Sequence, residues 1–559
     1  MSVSRRGMMA GAMAAPAVLA GGTGALAAPP RAATAGGTAT PPGCVAHTSG
    51  GRVRGYARDG ISIFKGVPYG APTGGQARFM PPRAVAPWAG TRLCMTPGPI
   101  CPQPEEGHGP SPMAFLTQSR PAPQSEDCLS LNIWTPADMG AAPDGKKRPV
   151  MVWIHGGEFT TGSSIALPAT DGEALARRGD VVVVSVNHRL NLLGYLDLAA
   201  LGAPAEFASA GNVGMLDLVL ALEWVRDNIA GFGGDAGNVT IFGQSGGGLK
   251  VTTLCAMPAA RGLFHKAIVQ SGSESRVFTR EMTRPLASAL LAELGVAPGD
   301  AAQLQAMPLA RLMAAGDAVL GRWVAQAHGD VWHMVGWAPV VDGSIIPASP
   351  YEPASRALSG HIPLLVGSVR HEFCMTMFSL EAEHMTMDQA RAALAVNFRD
   401  AGGLLDAFAR AYPREKPVGL MAMISAASFN RWNAVHQAQD QAAAGQAPAF
   451  LYRFDWITPM LDGSPRAYHC AELPMVFHSI DHVPEAAGTS QRSRTMAGRM
   501  ADAWIAFARS GQPGHAGLPH WPPVTPGHAP AMLFDDICQV DDFTDKGLLD
   551  LVRAARKWA

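Results

Sequence analysis

The chain has 559 residues, 47% hydrophobic and 16% charged, with a net charge of −1. That length supports a large buried core, and the neutral balance, without any Lys/Arg-rich run, gives nucleic acid or an anionic membrane no electrostatic hold. Its eight cysteines are scattered with no C-x-x-C pair, which argues against a zinc cage and against a disulfide-dense scaffold.

Arg5 and Arg6 precede a weakly apolar Ala/Gly stretch that closes on Ala25-Leu26-Ala27, a small-x-small cleavage site. Residues 1–27 therefore read as a bacterial export signal, the paired arginines pointing to the twin-arginine route. The mature protein is expected to be periplasmic or secreted. Pro16 and the weak lipid affinity of Ala and Gly argue against a retained anchor. Residues 28–43, rich in Pro, Ala, Gly and Thr, read as a flexible lead-in. No low-complexity break or repeat divides residues 44–559, which read as one domain.

"GRVRGYARDGISIFKGVPYG" alternates around Asp59-Gly60, a hairpin signal. "RPVMVWIHGG" and "DVVVVSVNHRL" are short apolar runs ending in glycine or polar residues, the pattern of strands buried in a parallel sheet. In "NVGMLDLVLALEWVRDNIAGFGG", Met215, Leu218, Val219, Leu222 and Val225 recur at helical spacing before a glycine stop. "VTIF" reads as a strand, "GGLKVTTLCAM" as a helix, and "KAIVQSG" and "IPLLVGSV" as further strands. Strands alternating with helices predict an α/β class, a mostly parallel sheet flanked by helices. Ligands in such sheets sit beyond the carboxyl ends of the strands. Residues 288–334 and 385–411 have helical periodicity and are expected to be insertions covering an active-site gorge.

Gly243-Gln244-Ser245-Gly246-Gly247 lies between the strand "VTIF" and a helix. The G-x-S-x-G pattern is weak alone, but on a strand-to-helix turn it has a mechanical sense. Glycines at 243 and 247 remove side chains that would collide, and the helix N-terminus favours developing negative charge at Ser245. A nucleophilic serine also needs an oxyanion hole and a base. "WIHGGEF" supplies an HGG-type loop, so the N–H groups of Gly157, Glu158 and Gly246 are expected to form the hole.

The sequence resembles the type-B carboxylesterases, which include the cholinesterases. The resemblance covers nearly the whole mature chain: "FKGVPYGAP", "RFMPPRAVAPWAG", "SEDCLSLNIWTP", "FGGDAGNVTIFGQSGG", "GLFHKAIVQSG" and "APVVDGSIIP" look like family segments in the family's order. It implies an α/β-hydrolase fold with a Ser…Glu…His order. The acid maps onto Glu372 in "VGSVRHEF" and the base onto His469 in "AYHCAELPMVF". His469 would take the Ser245 proton, and Glu372 would hold the imidazole tautomer. The resemblance also implies a disulfide between Cys101 and Cys128, with Cys94 as an alternative partner. Asp342 in "VVDG" is a rival acid, and His155, His188, His371, His478 and His482 are rival bases.

Two departures bear on chemistry. Glu158 stands in the hole where Gly or Ala is usual. Gln244 replaces the Glu of cholinesterases, and no tryptophan precedes the EDC segment, so the aromatic and anionic partners of a quaternary ammonium are missing. The expected function is hydrolysis of carboxylic esters with a sizeable apolar part through an acyl-enzyme. No metal or organic cofactor, nucleic acid or stable membrane insertion is expected. The same triad would serve amide, carbamate or lactone hydrolysis. A silent adhesion-type member would lack triad residues, and here all three positions are filled.

Overall fold

The computed structural model describes residues 44–104, 120, 122–139, 144–273, 278–326, 336–541 and 546–557. The export signal and lead-in lie outside the described residues.

Eleven strands form one sheet: β1 (Tyr56–Arg58), β2 (Ile61–Pro68), β3 (Ser130–Thr135), β4 (Arg148–Ile154), β5 (Val182–Val186), β6 (Gly234–Gln244), β7 (Lys266–Gln270), β8 (Leu364–Val369), β9 (Ala449–Phe454), β10 (Ala531–Phe534) and β11 (Gln539–Asp541). Their spatial order is β11-β10-β9-β8-β7-β6-β4-β5-β3-β2-β1. The block from β10 through β5 is parallel, while β1, β2, β3 and β11 pair antiparallel at its two sides. Between β1 and β2, Asp59 (φ 48°) and Gly60 (φ 78°) make a tight hairpin, the positive-φ pair that a two-residue turn of strand-matching twist requires.

Both faces of the parallel block are buried, which is why its strands read as unbroken apolar runs. Successive side chains alternate between two cores. Val150, Val152 and Ile154 of β4, with Val239, Ile241 and Val269, enter one core. Met151, Trp153, Phe242, Ile268, Phe450 and Phe534 enter the other. On the first face lies α1 (Val213–Asn228), whose Met215, Leu218, Leu222 and Val225 are buried as their spacing predicts. The stretch Ala205–Phe232 around it is apolar and long enough to cross a bilayer, yet its most apolar window is 67% buried inside the protein, as a core helix is. On the second face lies α4 (Gln491–Ser510), burying Met496, Met500, Trp504 and Phe507.

Between β6 and β7 runs α2 (Gly246–Cys255). The expected insertions contain helices at Arg280–Leu294, Leu309–Gln326, Met387–Leu394 and Ala401–Ala411; residues 327–335 lie outside the described residues. The helix at Trp432–Ala444, here α3, packs back on β8 and β9. One extent differs from expectation: β6 starts at Gly234, not at Val239, because a bulge lets Gly234 pair with Arg148 ahead of the apolar run.

Candidate active site

Ser245 occupies the turn from β6 to α2 at φ 57°, ψ −127°, a conformation that L-residues rarely adopt. Its N–H donates to Gln270 O at 2.8 Å and its carbonyl accepts from Leu249 N at 3.0 Å, so both sides of the turn are pinned. The flanking glycines have a measurable reason. A Cβ at Gly247 would fall 2.0 Å from Ile154 O, and one at Gly243 would fall 2.4 Å from the Gly247 carbonyl carbon. Only bare backbone fits there.

The same crowding assembles the donor loop. Gly157 (φ 84°) and Glu158 (φ 52°) both have left-handed backbones, and the Gly157 carbonyl accepts from Thr160 N and Thr161 N at 3.2 and 3.0 Å. A Cβ at Gly246 would fall 2.2 Å from Glu158 N, so these two backbones touch. The N–H groups of Gly157, Glu158 and Gly246 make no loop, turn or cap hydrogen bond among the described residues. Glu158 itself is exposed.

Glu372 and His469 lie on loops after β8 and β9. A parallel bridge pairs Glu372 with Tyr468, and His469 N donates to Glu372 O at 2.9 Å. Glu372 is held at φ 47°. Its Oε1 accepts from Val369 N at 3.2 Å, and its Oε2 lies 2.5 Å from His469 Nδ1. Both residues are buried, at 2% and 6% exposure. With the proton on Nδ1, Nε2 keeps its lone pair, the tautomer a general base needs.

That lone pair has a partner. Gln244 Nε2 stands 3.1 Å from His469 Nε2, and the Gln244 carbonyl oxygen accepts from the Cys470 thiol at 3.2 Å. The thiol fixes which end of the amide faces the imidazole. Above the ring, Phe373 stacks on His469 at 4.1 Å between centroids and 29°. Neither contact is legible from residue spacing.

Asp342, the rival acid, is a turn residue: its Oδ1 accepts from Ser344 N, Ile345 N and Ile346 N at 2.9, 2.8 and 3.1 Å. His371 meets Glu415 at 3.3 Å, and His155 stacks on His188 at 4.8 Å. A carboxyl that no sequence signal marks is Glu472, one turn beyond His469 and fully buried. Burial, then the Glu372 charge, pushes it up to about 7, with Gln270 Nε2 at 3.3 Å from its Oε1. A carboxyl that holds its proton to that pH limits the negative charge around Glu372 in mildly acidic solution. Lys250, on α2, is likewise unmarked in the sequence and is buried.

Cys101 and Cys128, the pair expected to form a bridge, are both buried. Their side chains meet, a hydrogen bond to Cys101 and burial pushing the Cys128 thiol up. Cys101 Sγ also accepts from Leu190 N at 3.2 Å, a contact suited to a thiol packed in a closed core.

A serine on a strained strand-to-helix turn at the carboxyl end of a parallel strand, next in the chain to a glutamine that contacts His469, is the context expected of a serine hydrolase of the α/β-hydrolase fold. A family model described as the carboxylesterase family matches residues 43–550, and the chain belongs to that family. It is 34% identical over 479 residues to the para-nitrobenzyl esterase of Bacillus subtilis (strain 168), covering 85% of this chain and 91% of that one. It is 35% identical over 487 residues to the phenmedipham hydrolase of Pseudarthrobacter oxydans, covering 86% and 92%. The solved structure of an esterase from Clostridium hathewayi that can hydrolyse aliphatic aromatic polyesters superposes with a TM-score of 0.77 at 36% identity, over 91% of this chain and 98% of that one. This protein is a carboxylic ester hydrolase.

Proposed function

We propose that Ser245, His469 and Glu372 carry out this hydrolysis through an acyl-enzyme. The observation that carries the reading is the contact of Glu372 with His469 Nδ1, which suits the tautomer that leaves Nε2 basic, together with a serine held on a strained turn next in the chain to Gln244, the partner of Nε2. Nε2 exchanges its Gln244 partner for the Ser245 hydroxyl and takes its proton as Oγ bonds to the ester carbon. The oxyanion is met by the N–H groups of Gly157, Glu158 and Gly246. Collapse breaks the bond to the alkoxide, which leaves with the proton from His469. Water then adds to the acyl carbon, its proton passing to His469 and on to Ser245 Oγ, and the carboxylic acid departs.

We infer an ester with a bulky aromatic or aliphatic part. Phe373, Met375 and Phe378, just after Glu372, are 44%, 41% and 60% exposed, a concentration of apolar surface beside the base that suits such a group. Relatives named for a para-nitrobenzyl ester and for aromatic polyesters fit that reading. Export through residues 1–27 completes the proposal. Fluorophosphonate labelling with peptide mapping tests the nucleophile: one adduct on Ser245 is expected, and an unlabelled Ser245 in active enzyme would refute it. Intact mass of exported protein tests the mature start near Ala28.

A further inference from the structure

Lys250 stands on α2 five residues after Ser245, with no exposure to solvent. A lysine in an apolar interior is unfavourable, and the first half of a helix is the wrong end for a cation. Its Nζ donates to His155 O at 3.1 Å and stands 5.6 Å from the Phe159 ring centre. His155 is the residue that leads into Gly156-Gly157-Glu158. Its carbonyl oxygen is also pressed close to α2, since a Cβ at Gly247 would fall 2.9 Å from it. The ammonium thus ties the nucleophile helix to the loop that carries the oxyanion donors.

The charged and titratable groups facing Lys250 are Glu158, which is exposed, and the stacked imidazoles of His155 and His188. Burial, and after it the Lys250 charge, holds both histidines well below their usual range, so they are neutral and bring no competing cation. Burial also pulls Lys250 down to about 7, with the Glu158 charge opposing that fall.

We propose that Lys250 is a positioning residue for the oxyanion hole, holding the His155 carbonyl so that the Gly157 and Glu158 N–H groups face the substrate oxygen and adding its positive charge behind them. In a water-poor site such a charge favours an anionic transition state over a neutral ester. The inference rests on the ester-hydrolase reading of Ser245. It also gives Glu158 a role as the counter-charge that keeps the ammonium protonated.

The test compares wild type, Lys250→Gln, which keeps a donor without the charge, and Lys250→Met, which keeps neither. Active sites are counted with a fluorophosphonate and turnover is read on p-nitrophenyl butyrate. In Lys250→Met, kcat should fall about 10- to 100-fold with KM within about twofold, and Lys250→Gln should lie between. Wild-type kcat should decline on the alkaline side as the ammonium loses its proton, and that limb should be absent from both variants. Unchanged kcat at pH 6 in folded Lys250→Met, or an alkaline limb that persists in either variant, would overturn the proposal. If Lys250→Met fails to fold, Lys250→Gln carries the same readouts. Wild-type enzyme without Ser245 labelling would instead overturn the underlying triad reading, whatever Lys250 does.

Discussion

The two halves of the site are built by different means. The nucleophile half, Ser245 with the 156–158 loop, is shaped by backbone meeting backbone: Gly247 against Ile154 O, Gly246 against Glu158 N. The other half, Glu372 with His469, hangs on two loops and is aligned by polar and aromatic side chains: Glu372 Oε2, the Gln244 amide and the Phe373 ring. Sterics leave no room for an added Cβ at Gly243, Gly246 or Gly247, whereas the second half is adjustable. Added bulk at its glycines should therefore disable the first half, while changes at Gln244 should tune the second.

The sharpest division comes from removing the nucleophile. Ser245→Ala should lower kcat by about 10⁴-fold or more, and adding His469→Ala should make it scarcely worse, because the two act as a unit. Additive losses in rates normalised to folded enzyme would dissolve that unit. Next is Gly246→Ala, whose new methyl collides with the Glu158 backbone. A loss of about 10²- to 10³-fold in kcat is expected, the value of an oxyanion donor, together with a lower melting temperature. Wild-type kinetics in this variant would show that the close approach is not needed.

Where a side chain rather than the backbone makes the contact, the effects are smaller. Gln244→Glu places a carboxylate 3.1 Å from His469 Nε2, which favours the imidazolium. The acidic limb of the kcat/KM profile should move to higher pH by on the order of one unit; a profile superposable on wild type would remove Gln244 from the relay. Glu158→Ala should leave neutral esters nearly unchanged at pH 6, since its backbone donor is retained. A hundredfold fall there would mean that the side chain itself orders the hole.

Stability offers a last contrast. Lys250 titrates at about 7 in the folded protein and near 10.4 unfolded. Below pH 7 both states are protonated and the native state bears the burial penalty. Between those values the unfolded state binds more protons, so stability rises with pH. Lys250→Met should therefore raise the melting temperature at pH 6, with a gain that shrinks towards pH 10. Equal gains at both pH values would show that the ammonium imposes no such penalty.

The nucleophile half is legible in the sequence because its requirement is local: glycines around one serine at the end of an apolar run. The proposed acid and base are not legible from spacing, since Glu372 and His469 lie 97 residues apart on loops and only the resemblance singles them out. Lys250 is hidden for a different reason. In "GGLKVTTLCAM" a single lysine reads as a solvated helix position, and only the packed fold shows that its face is interior. β3 and β9 do not announce themselves as strands because polar residues interrupt them. Asn132 is nevertheless buried, donating to Ser164 and Ser185 Oγ at 3.0 and 3.1 Å, and Arg453 is buried against Asp455. The Asn132 partners lie far off in the chain, and the Asp455 pairing depends on how β9 ends, neither of which a sequence window can show.

The Asp59-Gly60 hairpin gives the sheet a practical polarity. β2 runs antiparallel to β3, and β3 antiparallel to β5, so β2 points the same way as β6. The turn at the start of β2 is therefore at the opposite end of the sheet from Ser245. Residues 57–60 are exposed, and the space around a Cβ at Gly60 is open. A tether attached at this turn would bind the enzyme to a solid support with its reactive end facing outward, towards the solution.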